Sequence, residues 1–109
     1  IRKLVPAGLR LDVPHLYTGV ADTLVVKNAT PNSPVYLAYS LAGLGSTPVA
    51  ALGITVNMAN PVHAATRTAN GSGTANFAVV APGALFNRTI YLEAVQSGLV
   101  SNVVAEFVE

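Results

Sequence analysis

The stretch 62-VHAATRTANGSGTANFAVV-80 carries the clearest local signal in the chain. Residues 62–68 and 74–80 both alternate between apolar and polar positions, which is the period of a half-buried strand. Between them lie five residues, 69–73, in which Asn and Gly can adopt the positive φ angles of a tight turn. The stretch therefore predicts a β-hairpin.

The same alternation recurs in both directions along the chain, and no stretch has a convincing helical period. It predicts strands at residues 9–13, 23–27, 35–41, 52–56, 89–96 and 102–108, and a loop at 43–48. In the last strand, Val103, Ala105 and Phe107 are expected to face inward. Seven or eight short strands separated by Gly, Pro and Asn predict an all-β fold, a two-sheet antiparallel sandwich of immunoglobulin-like type.

The chain of 109 residues fits one domain. We expect the domain at residues 9–109 and an extended N-terminal arm at residues 1–8, since Pro6 and Gly8 separate the two. Charged residues make up only 10% of the chain, against about a quarter in a typical soluble domain. Hydrophobic residues make up 51%, yet no apolar run approaches the roughly 20 residues of a membrane helix. The composition indicates a β domain whose surface is covered by neighbours or by sugars.

Valines on the nominally polar side of the strands are consistent with coverage by neighbours. They are Val25, Val80, Val95, Val104 and Val108. Scattered surface valines are normal in soluble proteins. Burial between subunits is the second interpretation, since charged residues that protect strand edges are scarce here.

Three N-x-S/T sequons occur, at Asn28, Asn70 and Asn87, each near an expected turn. Turn-rich proteins contain many Asn, Ser and Thr, so turn chemistry alone is one explanation. The other is glycosylation of a surface protein, which makes these three residues candidate glycan sites.

Composition leaves little room for catalytic chemistry. Six Lys and Arg against five Asp and Glu, without a basic cluster, do not predict a nucleic-acid partner. No Cys is present, so disulfides and thiolate metal sites are excluded. His15 and His63 are the only side chains that titrate near neutral pH without perturbation, and both are expected to be structural. We therefore expect no cofactor, no metal site, no catalytic residues and no enzymatic activity.

Residues 9–108 resemble a β module repeated in large secreted and cell-surface proteins of bacteria such as planctomycetes and myxobacteria. The resemblance implies a secreted structural module and carries over no catalytic residues. The chain departs from the family at Thr47-Pro48-Val49-Ala50, where Thr-Pro-Phe-Gly is usual, and at Glu93-Ala94, where Gln-Ala is usual. The motifs that carry the resemblance are 24-LVVKNATP-31, 35-VYLAYSLAGLG-45, 57-NMANPV-62, 68-TANGSGTA-75, 92-LEAVQ-96 and 101-SN-102.

Two functions from different classes are expected. The first is an extracellular structural subunit that self-assembles into a filament or surface layer as a homopolymer, by N-terminal strand addition. The contact residues would be the apolar side chains at the start of the chain, Leu4, Val5, Leu9 and Leu11. The alternative is an adhesive module, or a spacer of a larger surface protein, that binds carbohydrate or protein through loops 43–48 and 82–88. Both predict a secreted or cell-surface location.

Overall fold

The computed structural model describes residues 9–109, and residues 1–8 lie outside it. This part of the chain consists of strands and two 3-10 helices, Ala50–Leu52 and Gly83–Leu85. None of its helices is long and apolar enough to cross a membrane. The strands are β1 (Arg10–Asp12), β2 (Ala21–Lys27), β3 (Pro34–Ser40), β4 (Leu44–Val49), β5 (Ile54–Met58), β6 (Val62–Thr68), β7 (Ala75–Val80), β8 (Thr89–Gln96), β9 (Leu99–Val100) and β10 (Val104–Phe107).

The strands form two main antiparallel sheets and one separate hairpin. Sheet 1 has the order β1-β2-β7, and sheet 2 has the order β10-β8-β3-β6, with β9 also beside β8. Strands β4 and β5 pair only with each other. All ladders between named strands in residues 9–109 are antiparallel. The expected all-β fold with antiparallel sheets is thus confirmed, in a sandwich-like stack.

The main core lies between the inner faces of the two sheets. Leu24, Val26 and Phe77 of sheet 1 pack in one cluster with Val35 and Leu37 of sheet 2, and all five are essentially excluded from water. They alternate with exposed or half-buried residues, as expected for strands with one inner face. Burial of each such side chain contributes about 1.5–3 kcal/mol.

Residues 62–80 do not form the expected hairpin. Strand β6 pairs with β3 in sheet 2, and β7 pairs with β2 in sheet 1, so the chain crosses from one sheet to the other. The connection is held by the β2–β3 loop: the Ala29 N–H donates to Gly73 O (2.9 Å) and the Asn32 N–H donates to Ala69 O (3.0 Å). The turn was predicted correctly, but alternation does not specify which strand is the partner.

The segment 43–48, expected as a loop, lies largely in β4. The β4–β5 hairpin covers part of the outer face of sheet 2, where Val95 is buried with Ala38, Val56 and Met58. Strand β5 overlaps the predicted strand 52–56, whereas β4 and the two-residue β9 are additional to the seven or eight strands expected. The prediction that Val95 lies on a polar outer face is wrong, because the chain's own hairpin covers it.

The inward residues of the last strand are shifted by one position from the prediction. Val104 packs against the main core and Val108 is fully buried in it, whereas Ala105 and Phe107 are exposed. A shift of one residue moves every side chain of a strand to the opposite face. The predicted outward position of Val108 is therefore wrong as well.

Candidate functional site

The sequon residues all lie on the surface. Asn28, Asn70 and Asn87 are exposed, and Asn28 and Asn87 have positive φ angles of 61° and 62°. Asn70 Oδ1 accepts hydrogen bonds from the backbone N–H groups of Ser72 (2.8 Å) and Thr74 (3.0 Å). These positions fit turn chemistry, and they are also accessible to a glycan.

The structure describes two of the four residues expected to contact a neighbouring subunit. Leu9 and Leu11 are buried in the core of their own chain, and β1 is paired with β2. Both side chains therefore pack within their own domain, and neither belongs to a donated arm in this structure. Leu4 and Val5 lie outside the described residues, and their part in subunit contact stays a prediction.

One lateral boundary between the sheets, which we call the closed seam, joins residues 11–18 to residues 102–109. Asn102 accepts from the Leu11 N–H (2.9 Å) and donates to Leu11 O (3.1 Å). The Glu109 N–H donates to Leu16 O (3.0 Å), and the Thr18 N–H donates to Glu109 O (2.7 Å). Hydrogen bonds therefore link the two sheets along this side.

His15 adds an ionic link to the closed seam. Its Nδ1 lies 2.8 Å from Glu106 Oε2, and its Nε2 lies 2.9 Å from Glu109 Oε1. The hydrogen bond to Glu109 is the main factor that raises the pKa of His15 above its ordinary value of 6.5, and the negative charges of both carboxylates add to it. The structure therefore assigns His15 the structural role expected for it.

The opposite boundary, which we call the open seam, lies between the edge strands β6 and β7. These strands belong to different sheets, and six of the seven residues of β6 are exposed. A register shift between Leu37 and Ala38 gives β6 one extra residue, Ala64, at this position. Sheet 1 has one strand fewer along its path than sheet 2, so no strand of the described residues 9–109 covers the inner side of β6.

An apolar cleft of about 240 Å³ opens at the open seam. Tyr39 supplies the only polar side-chain atom among its lining residues. Leu41 and Val80 belong to the lining and are 43% and 57% exposed. The lining from both sheets includes Leu24, Leu37, Tyr39, Ala64, Val79 and Leu92.

Asp22 lies beside this cleft. It pairs in register with Val79 and shares a face of β2 with Leu24, two cleft-lining residues. Asp22 Oδ2 is buried and, among the side chains of residues 9–109, is the one buried oxygen or nitrogen without a hydrogen-bond partner. Sequence reasoning missed this carboxylate, although its alternation with Leu24 and Val26 was a signal that it faces inward.

Glu93 is a second buried carboxylate, on the outer face of sheet 2, and sequence reasoning did not predict its burial. It is fully buried under the β4–β5 hairpin and accepts from the Asn57 N–H (2.9 Å) and the Asn57 Nδ2 (3.0 Å). Loss of water raises the pKa of Glu93 above its ordinary value of 4.5, and the two hydrogen bonds from Asn57 oppose this shift. Glu93 thus fixes the hairpin on sheet 2.

The outer face of sheet 2 carries two further clefts that share Tyr36 and Leu52. Their volumes are about 210 and 240 Å³. The Tyr36 ring meets the His63 ring edge-on, with centroids 6.1 Å apart. Hydroxyl groups lie at one end and apolar side chains at the other, which is a mixed surface suited to a sugar or a peptide.

One of the two loops expected to bind a partner, loop 82–88, borders the apolar cleft. Loop 82–88 contains the helix Gly83–Leu85 and the exposed Phe86, and Leu85 lines the apolar cleft. Within residues 9–109, no cluster of three or more His, Cys, Asp or Glu side chains is arranged to hold a metal ion.

No family model, curated protein or solved structure matches the chain.

Proposed function

We propose that this chain is an extracellular structural subunit that self-assembles into a filament or surface layer by strand addition between copies. The open seam is the observation that carries this proposal. It combines an unpaired strand edge with an adjoining apolar cleft, the two features that strand addition uses for affinity and for side-chain specificity.

The strand order supports an immunoglobulin-like assignment. In such sandwiches one sheet has the strands A, B, E and D, and the other has C, F and G. Here β1, β2 and β7 take the positions of A, B and E, while β3, β8 and β10 take those of C, F and G. Among residues 9–109, no strand lies beside β7 at the position of strand D, because β6 pairs with β3 instead. An added strand would complete the smaller sheet.

The segment expected to be donated and the cleft expected to receive it lie toward opposite ends of β2. Leu9, the first described residue, precedes the pairing of Arg10 with Lys27, whereas the cleft lies toward the other end of β2 near Asp22. A contact between the segment before Leu9 and the cleft of another copy is head-to-tail. Such contacts propagate into fibres when the rotation between successive copies does not close a ring.

The test compares the intact chain with a variant that lacks residues 1–8, by negative-stain electron microscopy and size-exclusion chromatography. We expect filaments or sheets from the intact chain and monomers from the shortened one. Circular dichroism of both variants checks that the domain remains folded. A monomeric intact chain at high concentration would refute the proposal.

A matched pair of surface substitutions localises the contact. Val80→Asp places a charge at the rim of the cleft, and Leu44→Asp places one on β4, where the residue is 68% exposed. We expect Val80→Asp to abolish assembly and Leu44→Asp to leave it unchanged, although both remove an exposed apolar side chain. Equal effects of the two variants would show that general surface hydrophobicity drives association.

The clefts around Tyr36 and His63 favour the second candidate, an adhesive or spacer module of a larger surface protein that binds carbohydrate or protein. A glycan array would be probed with the intact domain, with Tyr36→Ser, and with Tyr17→Ser as the control at an exposed tyrosine outside these clefts. Binding that only Tyr36→Ser removes would support this function, and an array without a response would count against carbohydrate binding.

The extracellular setting rests on the resemblance to secreted modules and on the three exposed sequons. We propose that Asn28, Asn70 and Asn87 carry glycans in the native material. Mass spectrometry before and after enzymatic removal of N-glycans measures this directly. Unmodified peptides at all three positions would leave turn chemistry as the explanation of the sequons.

A further inference from the structure

The cleft of the open seam adjoins the Asp22 oxygen that lacks a hydrogen-bond partner, on the inner face of sheet 1. Leu24 lines the cleft and lies two residues from Asp22 on the same face of β2. A buried carboxylate oxygen without a partner is costly. An extended segment with an apolar side chain and, two residues away, a cation would fill the cleft with the first group and pair with the Asp22 carboxylate through the second.

Residues 1–8 of the chain contain this pattern. Arg2, Leu4 and Pro6 occupy alternate positions, so an extended segment places all three on one face. The opposite face carries Lys3 and Val5 at the same spacing. Leu4 is larger than Val5, and the guanidinium of Arg2 can bind a carboxylate with two hydrogen bonds, whereas Lys3 offers a point charge. The face with Arg2 and Leu4 is therefore the better match. An apolar cavity of about 150 Å³ can hold a benzene-sized group, so the cleft of about 240 Å³ has room for the Leu4 side chain.

The arm of the same copy is poorly placed to fill this site. Lys27, which pairs with Arg10 at the start of β1, lies five residues from Asp22 along β2, a distance of about 17 Å. The free edge of β7 faces a position three strand spacings from β1, a distance of about 14 Å. The straight line of about 22 Å compares with a full reach of about 26–29 Å for the eight residues from Arg10 to Arg2. That line passes through β2 and β7, so the arm of the same copy would have to go around the sheet in a nearly fully extended form.

We propose that residues 2–6 of a second copy lie along the free edge of β7, with Leu4 in the cleft and Arg2 against Asp22 Oδ2. The segment runs antiparallel to β7, and Lys3 then lies opposite Ala78 on the outer face. This inference rests on the proposed self-assembly and specifies its contact.

Engineered cysteines test the register, since the chain has none of its own. A copy with Lys3→Cys is mixed with a copy of different mass that carries Ala78→Cys, and disulfide-linked heterodimers are measured on a non-reducing gel. The control partner carries Thr55→Cys, an exposed position on β5. We expect at least a tenfold higher yield with Ala78→Cys. Equal yields would overturn the register.

A charge exchange tests the polar contact. Arg2→Glu and Asp22→Arg should each reduce assembly strongly, and a chain with both changes should regain it, because the pair is restored with opposite polarity. Lys3→Glu is the control, since this side chain faces outward in the proposed strand. If the double variant does not assemble although it folds, the contact between Arg2 and Asp22 is wrong.

The outcomes separate the two proposals. Filaments that persist in Asp22→Asn, with no link between positions 3 and 78, would overturn this contact and leave self-assembly standing. An intact chain that stays monomeric would overturn both. A single chain with both cysteines that cross-links internally and remains monomeric would identify the occupant as the chain's own arm, which also overturns the contact between copies.

Discussion

The two seams of this sandwich differ in whether hydrogen bonds join the edges of the two sheets. At the closed seam, Asn102 and the residues around Glu109 form hydrogen bonds across the sheets, and His15 adds ionic contacts. At the open seam, β6 and β7 present edges that no described strand covers. The difference comes from a few polar side chains and from the unequal number of strands in the two sheets. The open side is where we propose that a second copy adds a strand.

The largest loss of stability is expected at Gly73, where the chain crosses between the sheets beside the open seam. Gly73 has a φ of 77°, and a Cβ built on it would lie 2.5 Å from Ala29 O. Gly73→Ala should reduce the free energy of unfolding by about 3 kcal/mol, because strain of the left-handed backbone adds to this clash.

Gly71→Ala in the same turn is the control, since no atom lies within 4 Å of its added Cβ. Its free energy of unfolding should stay the same or rise by up to about 1 kcal/mol. Urea denaturation measures both variants, and equal losses would contradict the role of the Gly73–Ala29 contact.

The closed seam should lose about 2 kcal/mol with Asn102→Ala, since two hydrogen bonds to Leu11 disappear and its backbone groups lose their partners. Asn76→Ala, at an exposed position on β7, should change stability by less than about 0.5 kcal/mol. Chemical denaturation again gives both values. A loss below about 0.5 kcal/mol for Asn102→Ala would show that water replaces these bonds at no cost.

The open seam should instead gain stability when it is filled from within. Ala64 lines the cleft and is exposed. Ala64→Leu is expected to raise the free energy of unfolding by about 0.5–1 kcal/mol through added apolar burial. The same change should weaken assembly, because it occupies the space proposed for Leu4. Thermal denaturation and filament yield check the two effects, and a stabilised variant that assembles normally would contradict the proposed site.

The smallest effect is a pH dependence of the closed seam. The pKa of His15 is raised in the folded protein, so the protonated ring stabilises the fold. This contribution is complete below the ordinary value of 6.5 and is lost as the pH rises through the higher folded value. The melting temperature of the native chain should therefore fall more between pH 6 and 8.5 than that of His15→Gln. Parallel curves would exclude a role of this contact.

Several elements were predictable because they depend on local chemistry. The eight residues of β8 match the predicted strand 89–96, and the main-core positions of Leu24, Leu37 and Leu92 follow directly from alternation. The predicted strand 52–56 overlaps β5, but β4, and with it the β4–β5 hairpin, was missed because the Gly and Pro of segment 43–48 are typical of a loop. The burial of Val95 was missed for the same reason, since it depends on that hairpin.

The candidate site was predictable only in part. The arm with Leu4 and Val5 was expected to dock on another copy, but the local sequence does not reveal where a cleft opens. The predicted strand began at residue 23, so the inward position of Asp22 was missed, and its lack of a partner depends on strands distant in the chain. The same limit applies to Glu93, which is buried by Asn57 and its hairpin.

The sequence alone determined the all-β class, the positions of most strands and turns, and the lack of thiol chemistry, because backbone preference and alternation act within a few residues. Only the tertiary structure decided that residues 62–80 cross between sheets, that Leu9 and Leu11 remain in their own core, and that one seam is closed while the other is open. These features depend on which strands pair across long stretches of chain, and pairing is selected by the packing of the whole core rather than by any local pattern.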